Sequence, residues 1–272
     1  MNQNTCIGRT LAAAGLALVM AAGVVLAQQP AKSFEPFSGQ PGKDVVWVPT
    51  PQALVDKMLD TAKLTASDIH YDLGSGDGRT VITAAKRGAT SFGIEYHPDM
   101  VALSQENAKK EGVTGKASFM KADLFETDFS KATVVTLFLL PDINRRLRPK
   151  ILDMKPGTRV VSNSFDMGEW EADEKFEVTE GCQSYCRGHF WIVPAKVEGT
   201  WKAGSSEIVL KQTFQMVAGT VKNGNVIAPI TAGRLTGDSI TFTAGGTAYT
   251  GKVTGGKIEG TAGAAKFEAT KG

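Results

Sequence analysis

IHYDLGSGDGRTVITAAKRG, residues 69–88, changes character twice. Ile69, Tyr71 and Leu73 have the β-branched, aromatic and apolar makeup of a strand. Gly74, Gly76 and Gly78 then break it, and Val81, Ile82, Ala84 and Ala85 follow at helical spacing. Strand, glycine loop and helix in that order bring backbone N–H groups close to a ligand at a helix N-terminus. An acid, Asp72, stands at the strand end just before the loop.

Outward from this unit the same alternation continues. Strand patterns fall at 69–73, 91–95, 117–121, 133–138 and 159–162, and helical patterns at 52–64, 79–86, 99–111 and 144–154. Alternating strands and helices predict an α/β, doubly wound, mostly parallel sheet of the Rossmann-like kind. A later pair, 176–179 and 190–193, predicts an antiparallel edge hairpin around the turn 182–186, with Trp191 in a core strand. Beyond 197 the helical period vanishes, and short alternating segments punctuated by glycine predict a small all-β domain of about eight strands, a barrel or a sandwich anchored by Trp201. The expected division is a signal peptide at 1–27, a Gln-, Pro-, Ser- and Gly-rich linker at 28–44, an α/β domain at 45–196 and the β module at 197–272.

The leader rests on 11–27, an uncharged apolar run preceded by Arg9 and ending in Val25-Leu26-Ala27, which reads as a cleavable secretory signal. An uncleaved membrane anchor is the alternative. The expected location is therefore periplasmic or secreted. Cys182 and Cys186 can close a disulfide there if 183–185 form a turn, whereas in a straight strand they would stand about 13 Å apart. His189 nearby raises a metal site as the alternative, but zinc wants four ligands and no fourth is evident, so no metal is expected. With 30 basic and 28 acidic residues and no long basic run, no nucleic-acid partner is expected.

The glycine loop narrows the ligand. The nicotinamide dinucleotide fingerprint needs a third glycine where Arg79 stands, and no Gly-Lys-Ser/Thr ending supplies a Walker loop. An acid followed by G-x-G-x-G remains. Asp72-Leu73-Gly74-Ser75-Gly76-Asp77-Gly78-Arg79 resembles the first motif of the seven-strand, class I S-adenosylmethionine-dependent methyltransferases. A carboxylate there suits a ligand that carries an ammonium and a sulfonium. Glu95 ends the second predicted strand, where that family accepts from both ribose hydroxyls, and Asp123 follows the third, where it accepts from the adenine amino group. Val48-Pro49-Thr50-Pro51, the glycine loop and Leu139-Leu140-Pro141-Asp142 followed by 145–152 and 155–162 are similar to the protein-lysine branch, which includes a nucleosomal histone enzyme and mitochondrial enzymes acting on membrane carrier and ATP synthase subunits.

This resemblance implies cofactor contacts from Asp72, Gly74, Ser75, Gly76, Glu95, Tyr96, Asp123 and Leu124, and puts Leu139, Leu140 and Pro141 on the acceptor side. The fourth strand end departs from the histone enzyme's asparagine-rich segment, and the Asn-Pro-Pro-Tyr signature of nucleobase methylation is absent. Direct methyl displacement requires no covalent nucleophile, so no residue is assigned as catalytic. Tyr96, His97 and Asp142 lie near predicted strand ends and are candidates to line an acceptor channel, with plainer roles also open to them: Tyr96 stacked on the cofactor, His97 and Asp142 capping helices. The reading that results is an exported methyltransferase acting on an amine, a protein lysine or a small molecule. The alternatives are a non-catalytic S-adenosylmethionine-binding protein whose β module holds an envelope partner, and a chain whose β module carries the function.

Overall fold

The computed structural model describes residues 1–3 and 34–272; the apolar run 11–27 and the first part of the linker lie outside the described residues. Ile69–Leu73 (β1) pairs in parallel with Thr90–Glu95 (β2) on one side and Val134–Leu137 (β4) on the other. Ala117–Lys121 (β3) extends the sheet beyond β2, and Arg159–Asn163 (β5) beyond β4, both parallel. Arg187–Ile192 (β7) and Glu174–Glu177 (β6) complete it in antiparallel fashion, giving the order β3-β2-β1-β4-β5-β7-β6. The helices are Gln52–Thr61 (α1), Arg79–Lys86 (α2), Pro98–Lys110 (α3) and Pro141–Leu152 (α4).

Every residue of β4 is buried because both faces of the sheet are covered. Val134 packs with Leu54 and Met58 of α1, while Val135 and Leu137 pack with Ile143, Leu147 and Ile151 of α4. α4 starts three residues earlier than its periodicity indicates, because Pro141 fits the first turn, where its missing N–H costs nothing. The expected edge hairpin forms with both strands shifted a few residues towards the N-terminus, and the turn between them is closed by a Cys182–Cys186 disulfide. His189 Nε2 donates to the Ser164 carbonyl at 3.2 Å instead of joining the sulfurs at a metal.

The C-terminal module is a closed antiparallel barrel. Its strands are Gly199–Ala203 (β8), Ser206–Thr213 (β9), Met216–Asn223 (β10), Val226–Thr236 (β11), Ser239–Ala244 (β12), Thr247–Thr254 (β13), Lys257–Ala262 (β14) and Ala265–Lys271 (β15). Consecutive strands pair as hairpins, and β15 returns to β8 through Thr270 opposite Lys202 and Lys271 opposite Trp201. Alternate residues point inward: Ile240 and Phe242 on β12, Tyr249 and Val253 on β13. They fill the interior around the fully buried Trp201.

Barrel and sheet are tied together. The Gln212 side chain accepts from the Val197 N–H at 2.7 Å and donates to the Ala195 and Phe214 carbonyls at 2.9 and 2.7 Å, bracing the connecting segment. Phe214 stacks at 6.1 Å on Trp170, which is fully buried and also contacts Trp191 at 6.0 Å. Arg234 of β11 pairs with Asp173, just before β6, at 2.5 Å. Trp170→Ala would leave a cavity against both tryptophan and phenylalanine neighbours and is expected to cost about 3–5 kcal/mol. A lowered urea midpoint, read by loss of near-UV signal, checks it.

Candidate functional site

The cleft opens at the C-terminal ends of the parallel strands, where the strand order reverses between β1 and β4. The loop after β1 is folded back on β2: the Gly74 and Ser75 N–H groups both donate to the Ile94 carbonyl, at 2.9 and 3.0 Å. Gly76 N–H donates to Glu95 Oε2 at 3.0 Å, and His97 N–H to Glu95 Oε1 at 2.8 Å. Glu95 is thereby aimed across the loop, with lone pairs left on both oxygens. Gly76 (φ +54°) and Gly78 (φ +82°) are left-handed. A Cβ on Gly76 would also lie 2.4 Å from Trp47 Nε1, and one on Gly78 would lie 2.7 Å from Phe119 and Ser104. Only a backbone without side chains fits this cradle.

Asp72 sits beneath the loop, 6% exposed. Burial pushes its carboxyl up to about 7, against a hydrogen bond from Thr136 that favours ionisation. Thr136 Oγ1 lies 2.6 Å from Asp72 Oδ1 and 2.8 Å from His70 Nε2, and His70 Nδ1 lies 2.6 Å from Ser91 Oγ. Burial drops His70 to about 3, so its ring is neutral, with one donor and one acceptor. With Asp72 ionised, the single Thr136 proton goes to the carboxylate. His70 Nε2–H must then donate to Thr136, and Nδ1 must accept from Ser91.

Asp123 follows β3 and accepts from the Phe125 N–H at 2.9 Å and from Lys43 Nζ at 2.5 Å. The Lys43 hydrogen bond holds its carboxyl below the usual range and raises the lysine in turn. Lys43 Nζ also lies 5.0 Å from the centre of the Tyr96 ring, which is exposed at the rim. Leu124 and Tyr96 line the same wall.

Lys43 belongs to a stretch that the sequence reading treats as linker, and here the structure differs. Gly39 and Trp47 are joined by a 2.7 Å backbone bond, Gln40 is buried against Met100, and residues 40–50 form one wall of the cleft. Arg79, which argued only against a dinucleotide, fixes this strap: it pairs with Asp77 at 2.6 Å and donates to the Thr50 carbonyl at 3.0 Å. Trp47 and Lys43 carry no periodic signal; the Val48-Pro49-Thr50-Pro51 run was the one visible sign.

On the opposite side Leu139 lines the cleft and limits Gly74, whose Cβ would come within 3.0 Å of it. Leu140 and Pro141 are the cap and first residue of α4, and Leu140 turns outward, while Phe138 and Ile143 join Leu139 in the lining. His97 does cap α3, accepting from the Asp99 N–H, and lines the rim. Asp142 is not a cap: it lies in the first turn of α4, paired with Arg145.

A glycine cradle, a buried Ser75 hydroxyl with no partner among the described residues and three carboxylates from successive strand ends fit a ligand bearing a ribose, an amine and a positive sulfur. Residues 72–174 match the family model described as the ANTKMT methyltransferase domain. A protein-lysine N-methyltransferase of Saccharolobus islandicus is 46% identical over 140 residues, 50% of this chain and 87% of the relative. The adenine nucleotide translocase lysine N-methyltransferase of Mus musculus is 32% identical over 102 residues, covering 37% of this chain and 44% of that protein. An RNA methyltransferase from Salinibacter ruber, solved in complex with S-adenosyl-L-homocysteine, is 45% identical with a TM-score of 0.52, over 55% of this chain and 96% of that one.

Because burial raises Asp72, the folded protein keeps a proton that the unfolded chain has already lost between about pH 4 and 7. That contribution stabilises at low pH, declines as pH rises through the window and is spent above about 7. Asp72→Asn removes it. Urea midpoints at pH 5 and 8 should show the wild type losing stability relative to the variant, by an amount on the order of a few kcal/mol.

Proposed function

The chain belongs to the class I, S-adenosylmethionine-dependent protein-lysine methyltransferases, and from that premise we propose that it methylates the ε-amino group of a protein lysine outside the cytosol. The observation that carries the reading is the row of Asp72, Glu95 and Asp123 at three adjacent strand ends around one glycine cradle. When bound, S-adenosylmethionine supplies an electrophilic methyl carbon on its sulfonium. In this reading Asp72 faces the ammonium of the methionine end, Gly74, Ser75 and Gly76 give it backbone and hydroxyl contacts, and Glu95 accepts from the ribose hydroxyls. Asp123 accepts from the adenine amino group, exchanging part of its contact with Lys43, while Tyr96 and Leu124 pack on the base.

The acceptor must arrive neutral, and with an ordinary pKa near 10.4 only about one lysine in a few thousand is so at pH 7. Leu139 and Ile143 make the β4 side of the cleft apolar. Such a wall disfavours the ammonium form and excludes water, which promotes attack without a dedicated nucleophile. Export rests on the apolar run 11–27 and is supported by the Cys182–Cys186 disulfide, which belongs to an oxidising compartment. Because the barrel interior is filled by its own side chains, an envelope partner would bind its outer surface.

Calorimetric titration with S-adenosylmethionine should give about one equivalent of heat. Glu95→Ala, which loses two charge-assisted hydrogen bonds, should weaken binding roughly 100-fold. Tritiated methyl groups offered with an envelope extract should then appear as methyl-lysine in protein. Label in RNA instead, or bound cofactor with no transfer, would overturn the acceptor assignment.

A further inference from the structure

We propose that Phe138, Phe165 and Tyr185 form the acceptor subsite, an aromatic wall that receives the ammonium head of the incoming lysine, and that the Cys182–Cys186 disulfide holds its outer member in place. This rests on the lysine methyltransferase reading above. The sheet order sets the direction of approach. The three carboxylates occupy the ends of β3, β2 and β1, so the cofactor cleft runs along that half of the C-terminal edge. The next strand ends along the same edge belong to β4 and β5, followed by the turn that leads into β7, which is antiparallel to β5. Each delivers one aromatic ring: Phe138 directly after β4, Phe165 two residues after β5, and Tyr185 two residues before β7.

The rings meet. Phe138 and Phe165 stack with centroids 6.1 Å apart, and Tyr185 meets Phe138 edge-on at 5.1 Å and Phe165 at 6.4 Å. Phe138 lines the cofactor cleft, so the cluster continues that cleft outward. Tyr185 is 43% exposed and the two phenylalanines are half-buried, which leaves ring surface free for a ligand. Tyr185 is left-handed at φ +56°, which turns its ring towards Phe138 and Phe165. It is kept there inside a five-residue ring closed by the disulfide. Aromatic faces attract ammonium and methylammonium ions, and desolvation between rings favours loss of the lysine proton needed before transfer.

The test uses the full chain saturated with S-adenosylhomocysteine, carbon-13 labelled in its phenylalanine and tyrosine rings, and titrated with choline as a soluble trimethylammonium probe. Saturable shifts of the Phe138, Phe165 and Tyr185 rings are expected. Affinity should fall about tenfold in Tyr185→Ala, in the Cys182→Ser, Cys186→Ser double variant and after reduction, and should change less than threefold in Tyr185→Phe. Affinity for S-adenosylhomocysteine should be equal in all of them. The proposal is overturned if choline moves no ring, if Tyr185→Ala binds it as well as the wild type, if uncharged 3,3-dimethylbutanol binds equally, or if Tyr185→Ala also loses S-adenosylhomocysteine. A wild type that fails to bind S-adenosylhomocysteine sinks the methyltransferase reading instead.

Discussion

A line of four hydrogen-bonding side chains runs through the middle of the sheet, from Ser91 on β2 through His70 on β1 and Thr136 on β4 to Asp72. All four are buried, so each bond must be made or a desolvated polar group is left unpaired. This sets the register of three parallel strands from the inside, where apolar packing alone would tolerate slippage. It also orients Asp72 under the glycine loop. The loop's fold onto β2, the aim of Glu95 and the strap pinned by Arg79 are all built above that point.

The α/β core was legible because its signals are local and repeated. A strand buried on both faces, such as β4, must be a short apolar run, and a glycine loop before a helix has few readings. The carboxylates could be placed because each falls at a strand end, and parallel strands put their C-terminal ends on one edge. The wall made by residues 40–50 was not legible. Its hold on the loop comes from one indole over Gly76 and one guanidinium on the Thr50 carbonyl, contacts between distant segments that leave no period behind. The outward turn of Leu140 was not legible for a related reason. The sequence shows where β4 ends but not how Pro141 turns the chain into α4, and that turn decides which neighbour of Leu139 faces inward.

The two halves of the chain follow opposite rules of burial. In the sheet, helices cover both faces, and the polar residues at its centre form a connected network. In the barrel, one face of every strand is solvated, and the alternation along β12 and β13 is correspondingly regular. The stacked pair Trp170 and Phe214, with Arg234 on Asp173 beside it, joins them through side chains from both.

The return of β15 to β8 has a consequence for how the barrel closes. The two strands that seal the barrel are its first and its last. The sheet uses only β1 to β7, so its pairing does not wait on any strand of the barrel. The barrel cannot close until β15 has emerged, and until then β8 and each newest strand present unpaired backbone edges to any neighbour. The sheet joins strands through helices near in sequence, whereas the closing contact of the barrel spans the whole module.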